Sequence, residues 1–192
     1  MEIPIFPLNT VLFPGGVLPL KVFEQRYITM TKACLRDGTD FGVCLIREGG
    51  EVGAPAVPVP FGCLARIAQW DMPQLGVFQL RAVGTRRFRL GATRVAADGL
   101  LWGTAEIIDE GPATQPTDDR CIEVLRSVVA RFGTDFFESP LRFDDPTWVA
   151  YRLAEVLPID RPGKQRLLEM SDPDLRQREV AAALAHAMQA AD

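Results

Sequence analysis

The stretch Phe13–Tyr27 (FPGGVLPLKVFEQRY) compresses a turn, a strand and a helix start into a few residues, and the rest of the chain has to fold around it. Pro14-Gly15-Gly16 signals a turn, because glycine reaches positive φ without steric cost. Val17 to Phe23 then alternates apolar residues with Pro19 and Lys21, the period of a strand. Pro19 has no N–H, so that strand must lie at a sheet edge or be bulged there. From Glu24 the period changes. Tyr27, Met30, Cys34 and Leu35 recur at helical spacing, Glu24 puts a carboxylate in the first turn, and Asp37-Gly38 is the stop. Glu24 and Arg26 read as a cap and an ion-pair partner at that helix start.

Further along, period-2 segments dominate. Ile3–Phe6 and Val11–Phe13 are short pieces between prolines, and Phe41–Arg47 is a nearly continuous apolar run of strand length. Phe61–Trp70, Val77–Val83, Arg86–Val95 and Leu100–Ile108 alternate and are separated by turn signals at Met72–Leu75, Gly84-Thr85 and Asp98-Gly99. Gly91 inside its strand predicts a bulge. Short strands with tight turns describe a small antiparallel barrel or sandwich with one inserted helix. Residues 111–117 (GPATQPT) have linker composition. Beyond them the period becomes 3.6, and helices are predicted from Asp118 to Phe132, from the Asp145-Pro146 cap to Leu157, from Asp160 to Met170, and from the Asp172-Pro173 cap to about Ala190. The division expected is therefore a β domain over 1–110 and a helical subdomain over 118–192.

At 192 residues with 47% hydrophobic content, the chain can bury a real core. A net charge of −4 and a pI of about 5.1 argue against a dedicated nucleic-acid binder. Cys34, Cys44, Cys63 and Cys121 lack CxxC spacing and sit in apolar runs, so they read as buried reduced thiols suited to the cytoplasm, with no metal site. No segment is long and apolar enough to span a bilayer, and the N-terminus lacks a basic leader. No cofactor motif is present: GxxxxGK and GxGxxG are both missing. The one histidine, His186, has Ala182, Ala183 and Ala190 as neighbours at helical spacing and no partner for a base or metal site among them. Ser127 lies in a helix without a glycine elbow, and a dyad with Lys164 has no support beyond spacing. Asp118-Asp119 and Asp144-Asp145 open helices, where capping accounts for them. No catalytic residue is assigned.

Two kinds of binding surface remain. Gly84–Leu90 (GTRRFRL) is the most basic segment; on a strand, Arg87 and Arg89 share one face, and Arg86, Phe88 and Leu90 the other. Such arginines beside Phe88 are of the type that meets RNA. Phe13, Trp70, Phe78 and Trp102, with Arg87 and Phe88, are the candidates for a groove that takes peptide.

Ile3–Gly15 (IPIFPLNTVLFPG) followed by Leu18–Tyr27 (LPLKVFEQRY) closely resembles the opening of the Lon protease N-terminal, or substrate-binding, domain. Phe41–Ile46 (FGVCLI), Gly62–Ile67 (GCLARI) and Gly84–Leu90 fit the same family. Leu157–Asp160 (LPID) and Lys164–Glu169 (KQRLLE) resemble its helical portion. The resemblance implies a stand-alone Lon-N-like bacterial protein of α+β class, with a PUA-like antiparallel β-barrel carrying one inserted helix, then a C-terminal helical bundle. It makes Pro14, Gly15, Phe23, Glu24, Arg26 and Tyr27 a structural signature. It supplies no catalytic residue, since the ATPase and Ser-Lys protease domains of full-length Lon lie beyond the region matched. Met72–Gly76 departs from the Asp-Gly turn common in relatives. The expectation is a non-enzymatic module for polypeptide segments or a protein partner, using an apolar surface of the barrel or of its junction with the helices; RNA binding and a small-molecule or enzymatic role are the alternatives. Oligomeric state is left open.

Overall fold

Cross-strand pairing explains how so many short apolar segments are all buried. A computed structural model describes residues 1–190. Its strands are β1 (Glu2–Leu8), β2 (Val17–Val22), β3 (Phe41–Glu48), β4 (Val57–Gln74), β5 (Val77–Val95) and β6 (Leu101–Ile108), with helix α1 (Gln25–Asp37) between β2 and β3. The sheet order is β2-β5-β4-β3-β1-β6, and β5 pairs with β6 as well. The expectation of an antiparallel sheet needs correction, because β1 and β3 run parallel. The chain between them passes through β2 and α1, a crossover long enough to bring β3 back in the same direction. The sheet is mixed, and the class is α+β.

Both faces of the sheet are buried. On one face, Phe6, Leu8, Phe41, Val43, Cys63, Ala65, Phe78 and Leu80 pack beneath Tyr27, Ile28, Met30 and Cys34 of α1. On the other, Ile3, Ile5, Cys44, Leu64, Phe88, Leu90 and Leu101 form a second core from strands alone. The strands approach closely there. A Cβ on Gly42 would sit 2.8 Å from Ile3, Ile5 and Phe88, and one on Gly62 would sit 2.9 Å from Phe88. These two positions accept only hydrogen.

β5 serves both cores because of an irregularity. Ala65 pairs with Gly84 but Cys63 pairs with Arg87, so β5 carries one extra residue. Gly84-Thr85, expected to separate two strands, is a bulge inside one long strand. A second register shift falls between Leu90 and Thr93, where Gly91 predicts it.

The helical portion contains α2 (Asp119–Phe132), α3 (Pro146–Val156), α4 (Arg161–Glu169) and α5 (Pro173–Gln189), with a 3-10 turn at Thr134–Phe136 that the sequence did not announce. Asp118, Asp145, Asp160 and Asp172 each cap a helix by accepting backbone N–H bonds. Contacts divide the chain into two compact units, Met1–Asp109 and the part from Glu110 onward. Positions 191 and 192 of the expected helical subdomain lie outside the described residues. In the second unit, Arg176 is fully buried. Its guanidinium donates to the carbonyls of Leu167 and Met170, lies 3.4 Å from the Glu110 carboxylate and sits over the Tyr151 ring. Tyr151 donates to the same carboxylate at 2.6 Å.

Candidate binding surface around the edge strand

The turn before β2 sets everything that follows. Gly15 has φ 72°, and the Gly16 N–H closes the turn on the Phe13 carbonyl at 2.9 Å. Gly15 N–H donates to the Gly84 carbonyl at 2.7 Å, and Gly84 N–H donates to the Gly16 carbonyl at 2.9 Å. This clamp fixes the register from Val17 against Val83 to Val22 against Phe78. β2 ends the sheet, as Pro19 demands.

Register also fixes direction. Because residues 16 and 84 exchange a ladder bond, Leu18, Leu20 and Val22 aim their backbone groups at β5. Val17, Pro19 and Lys21 aim theirs away from it. The missing N–H of Pro19 therefore falls on the side where β2 has no neighbour.

The two faces of β2 differ chemically. Leu18 and Leu20 pack, half-buried, against the core under α1. They line a hollow of about 340 Å³ with Phe23, Glu24, Glu51 and Val52 at its rim. Phe23 is 54% exposed. The opposite face carries Lys21, Gln79, Arg81 and Asp71, which line a broader hollow of about 520 Å³ that Leu20 and Trp70, from the first face, also border. Trp70 is 53% exposed, and its ring lies 5.7 Å from that of Phe78. Apolar side chains thus flank one side of an edge strand, and a lysine and an arginine with one carboxylate flank the other.

The start of α1 is a structural joint beside this surface. Glu24 occupies the N-cap position without capping through its side chain. Its carboxylate pairs with Arg26 at 3.0 Å instead. Arg26 lies over Tyr27 at 4.6 Å and donates to the Gly99 carbonyl. Tyr27 stacks on Phe6 at 4.0 Å between ring centroids, and burial pushes its phenol above the ordinary range.

Most of the expected binding residues are core. Phe13, Phe78, Arg87 and Phe88 are buried. For Arg87 and Phe88 the face is selected by the extra residue in β5. It places Arg87 opposite Cys63, on the α1 side, and Phe88 opposite Gly62, on the other side. Trp102 is half-buried with Arg94 over its ring, and Arg94 pairs with Glu2 at 2.8 Å. Trp70 alone of the six is open to solvent. Phe23, expected in the structural signature and among the aromatics of which a subset could line a groove, is equally open, and the exposed Lys21 and half-buried Leu18 and Leu20 join it. An alternating strand interrupted by proline was the signal for those four.

The basic segment does not form one face. Arg87 is buried, and Arg89 lies over Phe61 opposite Glu106. Nor is a hydrolytic pair assembled. Ser127 donates to the carbonyl of Glu123 within its own helix, and Lys164 donates to the Glu155 carbonyl at 2.6 Å. Among the described residues, no cluster of His, Cys, Asp and Glu could hold a metal ion, and no helix is long and apolar enough to cross a membrane.

The model of the ATP-dependent protease La (LON) substrate-binding domain matches residues 2–186. The chain belongs to the Lon substrate-binding domain family. A crystal structure of a Lon N-terminal domain protein from Xanthomonas campestris is 35% identical, superposes with a TM-score of 0.75, and covers 95% of this chain and 98% of that one. Lon protease 2 of Myxococcus xanthus is 38% identical over 90 residues, 46% of this chain and 11% of that protease. Escherichia coli K12 Lon protease is 27% identical over 190 residues, 92% of this chain and 24% of the protease. The chain thus spans a quarter or less of these two curated relatives. In this member of the Lon substrate-binding domain family, the turn-strand-helix of Phe13–Tyr27 carries the edge strand β2 and the exposed Phe23.

Proposed function

We propose that this protein is a non-enzymatic recognition module that binds polypeptide segments on the surface around β2. The observation that carries the reading is the exposure of two large aromatics near an unpaired strand edge, Phe23 at the end of β2 and Trp70 across β5 from it, each bordering a hollow. Membership of a substrate-binding family supports it. We read the pairing of β5 with both β4 and β6 as a PUA-like barrel, which would make β2 an appendage outside the closed ring, and the α2–α5 region as a helical bundle. Four buried thiols, none in a disulfide, support a cytoplasmic setting.

Titration of a carboxymethylated, permanently unfolded protein tests the reading. The intact chain should bind, and Phe23→Ser and Trp70→Ser should each weaken binding roughly tenfold, as truncation of an aromatic anchor does. Equal binding by parent and both variants, or no binding by the parent, would overturn it.

A further inference from the structure

Beyond the place of binding, the geometry points to its mode. We propose that β2 takes its partner by strand addition, and that the partner is an extended segment alternating apolar with acidic residues. This rests on the reading of the β2 surface as a polypeptide site.

Three observations carry it. First, Val17, Pro19 and Lys21 present backbone groups away from β5, on the side where β2 has no neighbour in the sheet. The row consists of N–H donors at Val17 and Lys21 and carbonyl acceptors at all three. Main-chain pairing along such a row recognises any extended chain, whatever its side chains. Second, the two faces of β2 differ: the register and core packing put Leu18 and Leu20 on one and Lys21 on the other, although Leu20 and Lys21 border both hollows. Side chains of an added strand alternate between the same two faces. Those on the first would rest against Leu18, Leu20 and Phe23. Those on the second would meet the exposed Lys21 ammonium, so carboxylates there are complementary in charge. Third, the edge is chemically guarded. Pro19 removes the central donor, which keeps the row from being a perfect template for aggregation while leaving two donors and three acceptors in place.

The test uses a capped synthetic peptide alternating valine and glutamate, with a control of equal composition in which the valines and glutamates are in separate blocks. The alternating peptide should bind more tightly than the control. N-methylation of every second amide, on the edge that would face β2, should abolish binding, whereas methylation of the other set should not. In the protein, Lys21→Pro should bind about fivefold more weakly than Lys21→Ala, since it also removes one outward hydrogen bond. Pro19→Thr should bind more tightly by a similar factor. If Lys21→Pro equals Lys21→Ala and both methylated peptides bind like the parent, strand addition is wrong, while loss of binding in Phe23→Ser would leave the surface itself standing. If Phe23→Ser and Trp70→Ser also leave peptide binding unchanged, the reading of the surface falls with it.

Discussion

The carbonyl oxygen of Phe13 occupies the space that a side chain on residue 84 would need: a Cβ built on Gly84 lies 2.1 Å from it. Gly84 also exchanges hydrogen bonds with Gly15 and Gly16. The Pro14-Gly15-Gly16 turn is therefore moulded onto β5 at its bulge. Gly84→Ala must displace the turn, and it should cost about 3 kcal/mol, the upper range for forced overpacking. Urea denaturation measures this. Because β2 is registered from the same clamp, the variant should also lose polypeptide binding.

Aromatic residues in this unit divide into those that hold it together and those that do not. Phe78 is 3% exposed whereas Phe23 is 54% exposed. Phe78→Ala should destabilise the protein by about 3–5 kcal/mol through the cavity it leaves. Phe23→Ser should change stability by no more than about 0.5 kcal/mol. Comparison of the two unfolding curves checks the assignment, and it licenses Phe23→Ser as a binding variant whose fold is intact.

In the second unit, removing the Arg176 guanidinium would take away the cation beside the Glu110 carboxylate, which keeps the Tyr151 hydroxyl, and the donor shared by the carbonyls of Leu167 and Met170. Arg176→Met should cost about 3 kcal/mol, the lower end for a broken buried pair, since Glu110 is partly open to solvent. The double variant with Glu110→Gln should recover part of that loss. Arg176→Lys should not rescue it, because a lysine cannot reach two carbonyls and a carboxylate while lying flat on Tyr151. A double-mutant cycle from thermal unfolding gives the coupling.

Asp174 gathers bonds from the Thr114 hydroxyl and from the backbone N–H groups of Thr114 and Gln115. The Thr114 hydrogen bond, with help from those amides and Arg178, holds its carboxyl below the ordinary range. A depressed carboxyl contributes stability that is complete above its unfolded pKa and is lost as pH falls through the folded one. The difference in melting temperature between the protein and Asp174→Ala should thus be constant near neutrality and should begin to close only below about pH 4. A difference that shrank above pH 6 would contradict the assignment.

Cys34, Cys44, Cys63 and Cys121 are all buried, and burial raises the thiols of Cys34, Cys44 and Cys121. An aromatic disulfide reagent should find no fast-reacting thiol in the native protein and four in urea. A fast native thiol would show that one of these positions opens.

Legibility followed the locality of the signal. Helix ends were readable because aspartate caps and first-turn prolines act within one turn, and α2 to α5 begin where Asp118, Asp145, Asp160 and Asp172 announce them. Pro19 announced an edge for the same reason. What could not be read depended on partners distant in sequence. The division of GTRRFRL into an Arg87/Arg89 face and a Phe88/Leu90 face was legible, but nothing in it states that β4 pairs with it one residue out of step, so the burial of Arg87 beside Cys63 was not. The parallel pairing of β1 with β3 was hidden too, since both strands are apolar on either face. Of the candidate surface, Trp70 was legible as an aromatic at a strand end. Phe23 was legible as one of several aromatics, but not which of them would be open, because its exposure depends on how α1 leaves the sheet.

The extra residue between Gly84 and Arg87 acts as a switch of sidedness along a single strand. Upstream of it, Phe78, Leu80 and Ala82 point under α1; downstream, Phe88 and Leu90 point into the other core, although all five have even numbers. Deleting one residue there would exchange the two cores over the whole second half of β5. Two large apolar groups would be driven against α1, and the second core would be emptied. Length at this point is therefore more constrained than composition, and a gap in an alignment of relatives here would signify a different fold rather than a shorter loop.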